Sequence, residues 1–341
     1  MIKPSPRPLP LFLELVRRVT QSDPDTARRA LAGMRIYADT PRTSRPHRRM
    51  AARVGRVQLL AGEGESGPAV VLVPSLINPS HVLDLAPGNS LIDHLSLSGM
   101  RPYLLDWGHP CRDDSFETIG DHITQYLLPM LHHFDEPVHL LGYCLGGTMA
   151  LAAAALTPVR SLVLLATPWH FRRYGDEART AMREHWQAQH QAVDAMGLMP
   201  VEMLQSLFWA LDPDRTIAKY ASLADLAPDD RRAIVFAALE DWANSGSPIT
   251  AAAAAELFDD LIGADVSGAG AWQVGGSAIA PSRITAPSIH FTAQGDRIAP
   301  AETAPDGIKC HPCPSGHVGM VVGKAARTGL WNPLADWLRN H

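Results

Sequence analysis

The chain has 341 residues, of which 46% are hydrophobic and 19% are charged, so a sizeable core can form and global disorder is not expected. A net charge of -5, with no basic tract beside an aromatic-rich stretch, argues against nucleic acid as a partner. No run approaches the roughly 20 apolar residues of a membrane span, and four cysteines in so long a chain do not indicate a secreted disulfide scaffold. We therefore expect a cytoplasmic protein without a transmembrane segment.

Residues 1–55 are predicted to form a helical and irregular lead-in. The apolar run at residues 9–15 is short, contains Glu14 and precedes no small-residue cleavage site, so we interpret it as a docking helix on the domain surface. A basic stretch follows, which is either a solvated face or a contact for an anionic ligand or partner. Its arginines are Arg42, Arg45, Arg48, Arg49, Arg53 and Arg56.

The core of the chain shows apolar runs of strand length, and the first four alternate with segments that are typical of helices. Buried strands that alternate with helices indicate a parallel, doubly wound sheet in an α/β domain. The predicted strands are residues 68–74, 101–107, 137–143, 161–167, 288–293 and, more weakly, 307–310; the predicted helices are 91–98, 116–133 and 147–156.

A long helical segment interrupts this alternation. Residues 169–284 are far more than an ordinary loop, so we interpret them as a lid or cap over the edge of the sheet where such folds bind ligands. The predicted division is a lead-in at 1–55, a core at 56–168 and 285–341, and the insertion at 169–284. The helices predicted in the insertion are residues 176–196, 200–210, 229–243 and 249–263.

Residues 142–146 (Gly-Tyr-Cys-Leu-Gly) follow a predicted strand and open a predicted helix. This is the pattern of a nucleophile elbow, with Cys144 in the usual position of serine. The flanking glycines fit a sharp turn in which side chains would collide with neighbouring elements. Because the elbow also places the sulfur at a helix N-terminus, where the dipole favours thiolate, we predict that Cys144 is a nucleophile and not a buried structural cysteine.

Two further residues complete the order nucleophile, acid, histidine that this fold uses. Asp296 lies just past the fifth predicted strand, and His317 follows the sixth. Both lie at carboxyl ends of strands, where they can converge on Cys144. We predict Asp296 as the acid and His317 as the base.

An oxyanion hole requires two hydrogen-bond donors. We predict the backbone N–H of Leu145, directly after the nucleophile, as one donor. The second is expected from the loop after the first core strand, at Ile77 or at its neighbour Leu76, unless that loop merely turns the chain.

The remaining cysteines are interpreted as structural. Cys310 and Cys313 form a single Cys-x-x-Cys, which lacks the second pair of a zinc site and does not open a helix as redox motifs do. Cys111 has no partner in the sequence. We therefore expect neither a metal nor a cofactor.

Taken together, these residues resemble the polyhydroxyalkanoate synthases, from about residue 57 to the C-terminus. Residues 142–148 (Gly-Tyr-Cys-Leu-Gly-Gly-Thr) look like the lipase-like box of that family, and several blocks resemble its class III catalytic subunit in particular. The further matching segments are 73–79, Asp84-Leu85, Asn89-Ser90, 105–110, 239–242, Gly275-Gly276, 315–320 and 335–338.

The resemblance implies an α/β-hydrolase fold and an acyltransferase that polymerises 3-hydroxyacyl-CoA, with coenzyme A thioester as substrate and the growing polyester as product. It implies that Cys144 carries the acyl group, that His317 activates it, and that Asp296 also helps to activate the incoming hydroxyl. Arg297 stands where the family usually has histidine, and the box is closer to classes I and II. The subclass, a second subunit or homodimer, and a location at the polyester granule surface therefore stay open.

The choice of cysteine favours thioester chemistry, because a thiol that attacks a thioester yields another activated thioester. Two alternatives stay open: a thioesterase or polyester depolymerase on the same fold, and an inactive homologue that binds granules or a true synthase.

Arg172 and Arg173 either contact CoA phosphates or are solvated. The aromatic residues of the insertion either exclude water from the site or simply pack; they are Trp169, Phe171, Phe208, Trp209 and Trp242.

Overall fold

The computed structural model describes residues 4–45, 47–64 and 66–341. Eight strands form the central sheet: β1 Arg49–Val54, β2 Val57–Ala61, β3 Ala69–Val73, β4 Arg101–Asp106, β5 His139–Tyr143, β6 Ser161–Leu165, β7 Ser288–Ala293 and β8 Lys309–Cys313. Their order across the sheet is β1-β2-β4-β3-β5-β6-β7-β8. β2 pairs antiparallel with β1 and β4, and the other pairs are parallel. This confirms the predicted fold class, a doubly wound and mostly parallel sheet.

The six strands that the sequence predicted correspond to β3 to β8, and β7 has the predicted bounds Ser288–Ala293. Every residue of β3, β5 and β6 is buried, which explains their continuous apolar composition. In contrast, β1 is largely exposed at the edge of the sheet and rich in arginine and alanine, so it carries no apolar run. The prediction of a helical and irregular lead-in up to residue 55 was therefore wrong over β1.

Fourteen α-helices are present in the described residues. They are α1 Leu9–Val19, α2 Pro24–Asp39, α3 Leu91–Leu97, α4 Ile119–Asp121, α5 Leu128–Leu131, α6 Leu145–Leu156, α7 Asp176–Gln187, α8 His190–Met196, α9 Val201–Leu211, α10 Pro213–Ala221, α11 Arg231–Ala243, α12 Ala251–Ala255, α13 Gly319–Val322 and α14 Asn332–Arg339. A π-helical turn at His122–Leu127 joins α4 to α5. A second, Glu256–Ala264, follows α12, and a third, Arg327–Trp331, precedes α14.

The described residues form two compact units. The helical unit consists of residues 4–45, 85–87 and 200–246. The sheet unit contains the remaining described residues, including the eight strands of the central sheet. This division differs from the predicted one, because only the middle of the insertion groups with the N-terminal helices, whereas residues 169–199 and 247–284 belong to the sheet unit. The interpretation of the insertion as a lid stays a prediction.

The helical unit has an aromatic core of its own. Phe12 of α1 packs on Trp209 of α9 and Tyr220 of α10, with ring centroids 5.6 and 4.7 Å apart. A Cβ atom at Gly33 of α2 would lie 1.7 Å from the carbonyl oxygen of Tyr220, so the two helices approach at a distance that only glycine allows. Phe12, Leu15 and Val16 of α1 are buried in this core, and the interpretation of α1 as a docking helix on the domain surface stays a prediction.

Several arginines of the basic stretch are engaged inside their own unit. In the sheet unit, the Arg48 side chain is 5% exposed and donates to both carboxylate oxygens of Asp84, at 2.8 and 2.7 Å, and to Asp93 at 2.6 Å. Arg56 pairs with Glu117. In the helical unit, Arg42 pairs with Asp241 at 2.8 Å. Neither predicted interpretation, a solvated face or a ligand contact, describes these buried and half-buried pairs.

Replacing Arg48 by methionine should destabilise the sheet unit by roughly 3–5 kcal/mol, because Asp84 then remains buried without its cation. The matched control is R49M, at an exposed neighbour, which should change the free energy of unfolding by less than about 0.5 kcal/mol. Urea denaturation followed by tryptophan fluorescence measures both values. Equal midpoints for the two variants would contradict the prediction.

Candidate active site

Cys144 lies at the corner between β5 and α6. Its φ of 56° and ψ of -131° are strained for a residue with a side chain, as nucleophile elbows require. Its backbone N–H donates to the carbonyl oxygen of Leu165 at 2.9 Å, and its carbonyl oxygen accepts from Gly147 at 2.8 Å. The strand–turn–helix geometry that the sequence motif predicts is therefore present, with the neighbouring strand β6 holding the corner.

The flanking glycines are required by close backbone contacts. A Cβ atom at Gly146 would lie 2.3 Å from the carbonyl oxygens of both Val73 and Pro74, and one at Gly142 would lie 2.4 Å from the Cα of Gly147. Since real Cβ atoms do not approach this closely, α6 can pack against β3 and β5 only with glycine at both positions. This packing brings the loop after β3 next to Cys144.

Asp296 and His317 meet where β7 and β8 end. The Oδ2 of Asp296 lies 2.6 Å from the Nδ1 of His317, and its Oδ1 accepts the backbone N–H groups of Ile298 and Ala299, both at 2.8 Å. The side chain of Asp296 is fully buried. The two loops are also joined through Gly295, whose N–H donates to the carbonyl oxygen of Ser315 at 3.0 Å. The carboxylate thus has a fixed orientation toward the imidazole.

The imidazole of His317 interacts with both Asp296 and Cys144. Burial by itself lowers the pKa of His317, but the charges of Cys144 and Asp296, together with a hydrogen bond to each, outweigh burial and raise the pKa to about 10. The three residues predicted as nucleophile, acid and base are therefore brought together. A buried imidazole with such a raised pKa is well suited to hold a proton taken from the thiol.

Two tyrosines at the site were missed by the sequence analysis. The hydroxyl of Tyr143 donates to the carbonyl oxygen of His317 at 3.3 Å, and the hydroxyl of Tyr174 donates to that of Ile298 at 2.7 Å. Burial, with the nearby charges of Cys144 and Asp296, raises the pKa of both hydroxyls well above the usual value. Tyr143 is part of the elbow motif and could have been considered, whereas no sequence pattern marks Tyr174.

The predicted oxyanion donors differ in their surroundings. Leu145 is the first residue of α6, so its N–H belongs to the group that has no acceptor within a helix. The N–H of Ile77 donates to the Oγ of Ser75 at 3.1 Å. To serve as an oxyanion donor, Ile77 would have to release this hydrogen bond, and the alternative at Leu76 stays open.

The other cysteines lie apart from this constellation in the sequence and are free thiols. Cys313 is buried on β8, and its Sγ contacts the carbonyl oxygen of Gly329 at 3.2 Å, whereas Cys111 and Cys310 are exposed.

The residues that the structure describes contain no group of three or more histidine, cysteine or acidic side chains placed to hold a metal ion. Within the same residues, no helix combines the length and apolar character that a membrane crossing requires.

The remaining candidates from the sequence have mostly structural surroundings. Arg173 pairs with Asp306 at 2.8 Å, and Arg172 and Arg297 are exposed. In the sheet unit, Trp169 and Phe171 are buried, and in the helical unit Trp209 and Trp242 are buried while Phe208 is half-buried. Trp169, Phe171 and Trp209 each contact another aromatic ring of their own unit. Whether these side chains exclude water or simply pack stays open.

Comparison with known proteins identifies similar sequences. Residues 68–191 match the family model of the alpha/beta hydrolase fold. A poly(3-hydroxyalkanoate) polymerase subunit PhaC from Allochromatium vinosum is 30% identical over 81% of this chain and 82% of that protein. The corresponding subunit from Haloferax mediterranei is 27% identical over 79% of this chain, and that from Haloarcula marismortui is 25% identical. The chain spans only 58% of the length of the first of these two proteins and 63% of the second.

Solved structures show the same fold at low sequence identity. A monoacylglycerol lipase from Paleococcus ferrophilus superimposes with a TM-score of 0.53 and 15% identity, over 84% of this chain and 99% of that one. An epoxide hydrolase from Bacillus megaterium superimposes with a TM-score of 0.55 and 15% identity, over the same shares of the two chains. At such low identity these similarities establish the fold alone.

Proposed function

Because this chain belongs to the family of poly(3-hydroxyalkanoate) polymerase subunits PhaC, we propose that it joins 3-hydroxyacyl units from coenzyme A thioesters into a polyester. The observation that carries the proposal is a cysteine at the strained elbow beside a buried Asp296–His317 pair, whose imidazole pKa is raised by the charges of Cys144 and Asp296. A nucleophile, a base and an acid in this arrangement perform acyl transfer through a covalent intermediate.

The proposed acylation step begins with the thiol of Cys144. His317 takes its proton through Nε2, and the sulfur attacks the carbonyl carbon of the acyl-CoA. The oxyanion that forms accepts hydrogen bonds from Leu145 and from Ile77 or Leu76. When the carbon–sulfur bond to coenzyme A breaks, the proton on His317 passes to the departing thiolate. Asp296 accepts a hydrogen bond from the Nδ1–H of His317 throughout, and so fixes the tautomer that presents Nε2 to the sulfur.

The proposed transfer step uses the same groups in the reverse sense. The hydroxyl of another 3-hydroxyacyl unit gives up its proton, with the help of His317 or of Asp296, as its oxygen attacks the acyl-enzyme carbonyl. The new ester bond forms while the bond to Cys144 breaks, and the sulfur leaves as thiolate or takes the proton back from the imidazole. Each cycle adds one ester bond and releases one coenzyme A.

The polymer outcome depends on which acceptor reaches the acyl-enzyme. A cysteine thioester keeps the acyl group about as activated as it was on coenzyme A, so an alcohol can accept it. Water is the competing acceptor, and excluding it from the site is therefore part of the proposal. The expected partners are 3-hydroxyacyl-CoA, the growing polyester at a granule surface, and a second subunit or a second copy of the chain.

Product analysis after incubation with 3-hydroxybutyryl-CoA tests this function. We expect coenzyme A release accompanied by ester-linked oligomers. After brief exposure, mass spectrometry of the digested protein should show 3-hydroxybutyryl units on the peptide that contains Cys144. Coenzyme A release with free 3-hydroxybutyrate and no oligomers would replace the proposal by a hydrolase. No coenzyme A release from the folded chain, alone or with a candidate second subunit, would favour an inactive homologue.

A further inference from the structure

Tyr143 contacts the residue that carries the base. Its side chain belongs to the buried end of β5, and it is 3% exposed. The phenol ring lies 5.1 Å from the imidazole ring of His317 at an interplanar angle of 33°, and its hydroxyl donates to the backbone carbonyl oxygen of His317 at 3.3 Å. One side chain therefore contacts both the ring and the backbone of His317, from the position directly before the nucleophile.

Tyr174 holds the loop that carries the acid. It ends the 3₁₀ turn Phe171–Tyr174 after β6, and its hydroxyl donates to the backbone carbonyl oxygen of Ile298 at 2.7 Å. The N–H of the same Ile298 donates to the Oδ1 of Asp296 at 2.8 Å. The carbonyl of Ile298 also shares its peptide group with the N–H of Ala299, which donates to the same Oδ1 at 2.8 Å. Tyr174 therefore restrains a peptide group that orients the carboxylate. Its ring also stacks on Phe171 with centroids 5.9 Å apart, which limits its rotamers.

The two contacts act on opposite sides of one hydrogen bond. Tyr143 restrains the imidazole side, Tyr174 restrains the carboxylate side, and between them the Asp296 Oδ2 and the His317 Nδ1 lie 2.6 Å apart. Both acceptors are backbone carbonyl oxygens of catalytic loops, and loops are otherwise the more mobile parts of a fold. A displacement of either loop would lengthen the Asp296–His317 hydrogen bond and move the imidazole relative to the sulfur.

We propose that Tyr143 and Tyr174 are positioning residues that together hold the Asp296–His317 pair against Cys144. The proposal refines the proposed function and rests on it for its catalytic meaning. Neither tyrosine is required to contact substrate. Both hydroxyls remain protonated donors in the working range of the enzyme, because burial raises the pKa of each.

The test uses Y143F and Y174F, which keep each ring and remove only the hydroxyl. The primary readout is the alkylation rate of Cys144 by iodoacetamide as a function of pH, measured on the Cys144 peptide by mass spectrometry. An imidazolium beside the sulfur favours the reactive thiolate. We expect each variant to lower the alkylation rate at neutral pH by about 3- to 10-fold, which is the effect expected from the loss of one hydrogen bond. At high pH, where the thiol loses its proton without the imidazolium, each variant should approach the wild-type rate.

Y126F is the matched control. It removes a hydroxyl that donates to Glu117 at 2.6 Å and contacts neither catalytic loop, so it should lower the melting temperature and leave the pH profile unchanged. If Y143F and Y174F lower the melting temperature but keep the wild-type profile, their role is structural and the proposal is overturned. Unchanged reactivity in either variant overturns it for that residue.

The alkylation assay requires no substrate, so it separates the two proposals. A chain that hydrolyses 3-hydroxybutyryl-CoA, and thus fails the polymer test, can still show the expected alkylation profiles. Conversely, a chain that makes oligomers while Y143F and Y174F behave like Y126F would keep the proposed function and lose the role of the tyrosines. For an active chain, single-turnover release of coenzyme A adds a second readout, in which positioning should lower the acylation rate and leave KM unchanged.

Discussion

Replacing Cys144 by alanine should lower coenzyme A release from 3-hydroxybutyryl-CoA by roughly 10⁴-fold or more, because no other group at the elbow can form the acyl-enzyme. Alanine at this position keeps a Cβ atom and meets the same φ of 56°, so the fold should be retained. Initial rates of thiol release, followed with a disulfide reagent that reports free coenzyme A, measure the effect.

Two further variants sharpen this result. C310A removes an exposed thiol from β8 and should release coenzyme A at the wild-type rate, which controls for the loss of any one cysteine. C144S should yield at most slow hydrolysis, because an oxygen ester no longer carries the activation of a thioester. Residual turnover of C144A near the wild-type rate would overturn the assignment of the nucleophile, and oligomer synthesis at full rate by C144S would overturn the thioester argument.

Replacing Asp296 by asparagine should lower the acylation rate by about 10²- to 10⁴-fold. The basic limb of the pH profile, which is the fall of that rate at alkaline pH, should move to lower pH. The pKa of His317 is raised to about 10, with the carboxylate of Asp296 as one of the causes. Removing that negative charge weakens the preference for imidazolium, so the proton is lost at a lower pH than in the wild type. Asparagine can still accept the N–H groups of Ile298 and Ala299, and the loop should therefore keep its shape.

Single-turnover release of coenzyme A across the alkaline range measures both effects. The wild-type basic limb is expected near pH 10, as the pKa of His317 implies. D336N is the control, since Asp336 is an exposed acid on α14 that pairs with Arg339, and both its rate and its pH profile should match the wild type. A basic limb that stays in place in D296N would show that another group controls it.

The sequence could predict which residues come together at the candidate site, because their positions follow from local rules. Cys144 stands in a motif whose glycines are explained by contacts with Val73, Pro74 and Gly147, and Asp296 and His317 follow the last two strands of a parallel sheet. The carboxyl ends of such strands meet at one edge, so chain order alone places these side chains near one another. The same rules predicted the buried strands β3, β5 and β6.

Features that depend on long-range contacts were not predictable in this way. Tyr174 acts on Ile298, which is more than a hundred residues further along the chain, and nothing in its neighbourhood marks it as part of a site. The strand β1 has no apolar run because it lies at the exposed edge of the sheet. The grouping of residues 200–246 with the N-terminal helices depends on side-chain packing such as Phe12 on Trp209 and Tyr220, which no local pattern encodes.

The way in which Asp296 is held has a consequence for the neighbouring position. Its Oδ1 is anchored by main-chain amides of residues 298 and 299, a type of donor that nineteen of the twenty amino acids supply, while the Arg297 side chain is exposed. These two anchoring bonds do not involve the side chain of residue 297. Substitutions at position 297 should therefore leave both main-chain donors to Asp296 in place while they change the charge of the loop surface.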